Sequence, residues 1–161
     1  MKSRQKTVPD WGPVLARDGR WSALVRTGSR PRLVPRGGIA FLAAPWLGEV
    51  SIKQEFRPRR GVQMEHVVAR EMLRLMSAGV TAICPVLLQS AMTWASPLVS
   101  GSVDPLDSAA WEAWARPFLN TASVVVVPDV QGWDRCPAVW SQVSWALERN
   151  VPVHVYAARV P

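Results

Sequence analysis

The sequence predicts one α/β domain: an open parallel sheet of four to five strands with helices on both faces, preceded by a basic extension. Three observations carry this. Short, nearly unbroken apolar runs recur after residue 37, most of them closed by proline, which is how strands buried on both faces read. Between them lie segments with apolar residues at helical spacing. The 161 residues are 48% hydrophobic and 19% charged, with nine Trp, a balance that suits one buried core and excludes a disordered chain.

Residues 1–36 carry nine Lys or Arg against Asp10 and Asp18, so this segment alone holds the net charge of +7, and residues 37–161 are formally neutral. Four prolines and five glycines between residues 9 and 38 break any long helix there, which disfavours an amphipathic membrane helix. Trp21, Ala23 and Val25, then Gly28-Ser29, then Leu33 fit a small hairpin with Pro31 holding its second strand at an edge. The composition leaves two roles for residues 1–36: a solvated tail whose Trp11 and Trp21 pack back on the domain, or a polyanion-binding arm using Arg and Trp.

Gly38 to Ala44, closed by Pro45, is the best candidate for a central strand. From Gly61 to Ala78, Met64, Val67, Val68, Leu75 and Met76 fall at helical spacing, and Gly79 supplies the stop. Val80 to Cys84 before Pro85 is a second strand, parallel to the first through the helical crossover. Residues 85–104 show no clear period and contain Pro85, Pro97 and Gly101, which predicts a long loop. Ser108 to Leu119 is a helix, Ser123 to Val127 a β-branched strand stopped by Pro128, Pro137 to Arg149 a helix with proline in its first turn, and Pro152 to Tyr156 a last strand. Sheets of this kind bind ligands at the carboxyl ends of their strands. Those ends are Ala44-Pro45-Trp46, Cys84-Pro85 and Pro128-Asp129.

The longest apolar stretch, Gly37 to Leu47, is about half of what a membrane-spanning helix needs. The first thirty residues lack the apolar block of a secretory signal, so the expectation is a soluble, cytoplasmic protein with no membrane partner. Cys84 and Cys136 are too few for a disulfide framework or a zinc module with paired C-x-x-C spacing. No metal and no cofactor is predicted.

The opening Ile39 to Trp46, the Gly79 to Pro85 strand, and Val124 to Val127 followed by Gly132-Trp133-Asp134 and a helix resemble the nucleoside 2-deoxyribosyltransferase-like superfamily, closest to an uncharacterised bacterial branch of it. The resemblance covers about residues 38–156. It implies a flavodoxin-like sheet and a nucleoside or nucleotide ligand whose N-glycosidic bond is attacked by a Glu on the helix after the Gly-Trp element. An oxocarbenium-like transition state calls for an anion at that point. The matching residue here is Gln142, an amide that keeps the shape and loses the charge. Trp46 replaces the expected Tyr, Cys136 a Ser, Ala138 a Gly and Ala115 an Asp. Catalysis is therefore expected to be weakened, altered or lost, with Glu112, Asp129 and Asp134 as sources of a displaced carboxylate. Pro45, Trp46, Pro85, Gly132, Trp133 and Cys136 are the ligand-binding positions so implied, and a homo-oligomer is compatible with this expectation.

The residues themselves add several candidates. Gln142 lies about 60 degrees from the Val139, Val143 and Ala146 stripe at 3.6 residues per turn, so it borders the core. Arg57, Arg59, Arg60 and Arg70 surround a helix start, where an anion such as a nucleotide phosphate is favoured. Trp46, Trp94 and Trp133 fall at strand ends or in loops, where a base could stack on them or a core enclose them; Trp111 and Trp114 lie on a helix and belong to stability. Cys136 at a helix N-terminus is expected to have a lowered thiol pKa, and the lone His66 and His154 read as structural. The alternative to a nucleotide-binding domain is a non-enzymatic module whose residues 1–36 contact nucleic acid or a protein.

Overall fold

The structure, a computed structural model, describes residues 8–28, 37–95 and 103–156. Its sheet has five parallel strands: β1 (Val25–Thr27), β2 (Ile39–Leu42), β5 (Ala82–Ile83), β6 (Ala122–Val127) and β7 (Val153–Val155). Their spatial order is β1-β7-β6-β2-β5. Helices flank both faces, so the predicted open α/β sheet is the observed architecture, consistent with a flavodoxin-like arrangement.

The unbroken apolar runs are explained by two cores. Along β2, Phe41 and Ala43 enter one core and Ala40, Leu42 and Ala44 the other; along β6, Val125 and Val127 alternate in the same way with Val124 and Val126. The first core is covered by α1 (Gly12–Leu15), α5 (Ser108–Asn120) and α6 (Pro137–Glu148). The second lies under α2 (Leu47–Val50), α3 (Pro58–Ser77) and α4 (Pro85–Ala95). Pro58 and Pro137 each occupy a first helical turn, where the missing N–H costs nothing, and the Asp107 carboxylate caps α5 by accepting from the N–H groups of Ala109 and Ala110, both at 3.1 Å.

One local expectation is corrected, and two features appear that the sequence did not mark. Residues 85–95 form α4 rather than a loop: the helix carries no charged residue, so it shows little polar-apolar period for sequence reading to detect. Val25 pairs in parallel with Val153 of β7, while the second strand of the expected hairpin, at Leu33, lies outside the described residues. The described part of residues 1–36 is thus built into the sheet. Trp11 is 6% exposed, its ring centroid is 4.7 Å from that of Trp133 and 5.1 Å from that of Trp140, and its Nε1 donates to the Asp134 carbonyl at 2.6 Å. The sequence reading also left unassigned a hairpin, β3 (Ser51–Ile52) with β4 (Glu55–Phe56), turning through Lys53 and Gln54 at positive φ. No helix of the described residues is long and apolar enough to cross a membrane.

Candidate functional site

After β2 the chain runs through α2 and α3 to β5 on one side, then returns through α4 and α5 to β6 on the other side of β2. The gap between β2 and β6 is therefore the topological switch point of the sheet. On the α5–α6 side of it lies a shallow, open groove between the helices, with enclosed room for about one water molecule. Helical spacing builds its walls: Glu112, Ala115, Arg116 and Leu119 form one face of α5, and Ala138, Ser141 and Gln142 one face of α6, with Phe41 of β2 also lining it. Ala115 and Ala138 leave the room that larger side chains would fill.

Gln142 Oε1 is buried here without a hydrogen-bond partner among the described residues. An unsatisfied buried amide costs about 1–3 kcal/mol, which a ligand able to hydrogen-bond would recover. Glu112 and Arg116 stand one turn apart on the same wall, yet form no ion pair with each other.

Other candidates lie elsewhere. Trp46 and Trp133, each 6% exposed, belong to separate cores on opposite faces of the sheet. Trp46 donates from Nε1 to the Pro105 carbonyl at 3.2 Å and packs near Phe56. Trp94 is on α4, 41% exposed. Arg57 and Arg60 are exposed at the start of α3, with Arg57 paired to Glu55 at 2.8 Å. Pro85 is buried in the first turn of α4. Asp129 is exposed, and the Asp134 carboxylate lies 3.9 Å from Arg135; neither lines the groove, where Glu112 is the only carboxylate among the described residues.

Cys136 caps α6 and is 8% exposed. Its thiol pKa is raised rather than lowered: burial outweighs the lowering effect of the nearby backbone amides of Val139, Ala138 and Trp46, and the Glu49 charge adds to the rise. Cys84 is buried in the other core and pushed up to about 12 by desolvation, so the cysteines neither pair nor ionise near neutrality. Gly132 has φ 85°, and the Glu49 carboxylate rests where a Cβ would stand. Sequence reasoning missed Glu49, which sits on a helix too short to show a period, and the groove residues Phe41, Arg116 and Ser141.

The protein family described as Domain of unknown function (DUF1937) matches residues 38–158. No curated protein and no solved structure matches the chain.

Proposed function

For this chain, which belongs to the DUF1937 family, we propose a nucleoside- or nucleotide-binding domain of the deoxyribosyltransferase and N-glycosidase type, with catalysis weakened or lost. One observation carries the reading. Gln142, Ala115 and Glu112 come from two helices about 30 residues apart in sequence and line the same groove. The sequence resemblance matched Gln142 to the nucleophile and Ala115 to its supporting carboxylate, and Glu112 is one of three residues, with Asp129 and Asp134, named as sources of a displaced carboxylate.

The side chains present suit binding better than bond cleavage. An amide at position 142 can hold a sugar hydroxyl, but it cannot supply the anion that captures an oxocarbenium-like carbon. Ala115 offers no second carboxylate. Glu112 supplies negative charge from the α5 wall, which assists sugar binding.

Thermal denaturation of the full chain with nucleosides and nucleotides tests the reading, because a ligand of the folded state raises the midpoint by mass action. At least one such compound should raise it, and Ala138→Leu, which fills the groove, should abolish the rise. No shift with any nucleoside or nucleotide, or a shift that survives the filled groove, would refute it.

A further inference from the structure

We propose that α4 is a self-association surface: two copies of this chain pack antiparallel through its outward stripe Leu88, Ala91, Met92 and Ala95. The stripe lies outside the α5–α6 groove, so the interface does not depend on what the groove binds.

The first observation is a helix that is apolar on both sides. Inward, α4 places Val86 in the second core and donates from Ser90 Oγ to the Glu65 carboxylate of α3 at 2.6 Å. On its other side Leu88, Ala91, Met92 and Ala95 recur at i, i+3, i+4 and i+7, and all four are exposed, Leu88 by 40% and Met92 by 38%. None of its eleven residues is charged. A helix apolar all round is one that is covered all round, and the described residues cover only one side. The exposed Leu73 and Met76 of α3 differ, because Arg70, Glu71 and Arg74 surround them as on a solvated face.

Charge and size both point to a second copy as the occupant. Covering an uncharged stripe with a charged face would strip water from charges that gain no partner, so the matching face is itself uncharged. Among the described helices longer than one turn, α4 alone lacks charge. The stripe also alternates large and small. Across a twofold axis midway between residues 91 and 92, Leu88 faces Ala95 of the second copy and Ala91 faces Met92, so a large side chain meets a small one at every level. A parallel pairing would set Leu on Leu and Ala on Ala. Access is open as well, since α4 follows β5 with only Cys84 between them, and β5 is the edge of the described sheet. The neighbouring α5 adds no charge on that side: Glu112 and Arg116 line the groove, while the half-buried Trp114 and Phe118 stack edge to face at 5.2 Å.

Sedimentation velocity of the full chain tests the interface. At about 50 μM the chain should sediment with the mass of two copies. Met92→Glu sets a charge on the stripe at an exposed position, so it should keep the parental circular dichroism and weaken the dimer by at least about 100-fold. Met76→Glu, at a position on α3 that is 66% exposed, should leave the dimer unchanged. Leu88→Ala and Ala95→Leu should each weaken it, by a gap and by a clash, and the two together should return the dissociation constant to within about threefold of the parent. This exchange decides the matter if Met92→Glu fails to fold. A monomer at that concentration, an association that Met92→Glu leaves intact, or a double variant no better than its singles would overturn the proposal.

Discussion

At the scale of single residues, Gln142 decides the chemistry. Gln142→Glu adds an anion with almost no change in volume, inside a groove that already holds Glu112 and lacks a second acid at Ala115. The expected outcome is no measurable base release from deoxynucleosides by the parent and a small gain in the variant, read by chromatography of the free base. Each tenfold in rate corresponds to about 1.4 kcal/mol of barrier, so a partial gain is detectable. Strong hydrolysis by the parent that survives Gln142→Ala would instead point to Glu112.

The buried titratable groups set a pH dependence. The His154 pKa is lowered by burial and by the Arg74 charge, against the opposing hydrogen bond to the Gly28 carbonyl. The unfolded chain therefore takes up this proton first as pH falls below about 6.5, and stability is lost there. Cys84 and Tyr156 are each raised to about 12, chiefly by desolvation, so the unfolded chain ionises first as pH climbs from about 9 and stability falls again. Urea midpoints across pH should trace a dome. His154→Gln should flatten its acid limb; an unchanged limb would remove this residue from it.

At the scale of elements, the β3–β4 hairpin stands out because Lys53 and Gln54 adopt φ of 51° and 63°. A two-residue hairpin turn with both φ positive favours Asn-Gly, since side chains bearing a full Cβ substituent crowd the carbonyl in that region. Lys53→Asn with Gln54→Gly is expected to stabilise the fold by about 1 kcal/mol, measured by urea denaturation. The same feature explains why this hairpin was not legible: no turn residue marks it. The converse holds for α5, expected from Ser108 to Leu119 and found from Ser108 to Asn120.

At the scale of the molecule, the charge and the fold divide the N-terminal segment differently. Of residues 1–36, the basic excess lies in Lys2, Arg4 and Lys6 and in Arg30, Arg32 and Arg36, whereas residues 8–28 hold Arg17, Arg20 and Arg26 against Asp10 and Asp18. Those middle residues supply β1 and Trp11 to the first core. Deleting residues 1–36 should therefore cost the fold heavily, since removing a buried Trp side chain alone costs about 3–5 kcal/mol. Replacing the six outer basic residues by Ser should leave the melting temperature unchanged and abolish any salt-sensitive affinity for DNA or RNA. A deletion variant with parental stability would show that β1 and Trp11 are dispensable.

The sequence by itself determined the alternation of strands and helices after residue 37, because burial on two faces demands unbroken apolar runs and burial on one demands a helical period. It also marked Gln142 and Ala115, with Glu112 as one of three alternative carboxylates beside Asp129 and Asp134. Only the tertiary structure decided what Gln142, Ala115 and Glu112 share a groove with, since Phe41, Arg116 and Ser141 carry no local signal and meet them through packing of α5 and α6 on β2. It likewise decided that Val25 pairs with Val153 and that Trp46 and Trp133 face opposite cores. Parallel pairing across more than 120 residues is set by the sheet as a whole, and the face a strand-end side chain takes depends on the loop that follows it.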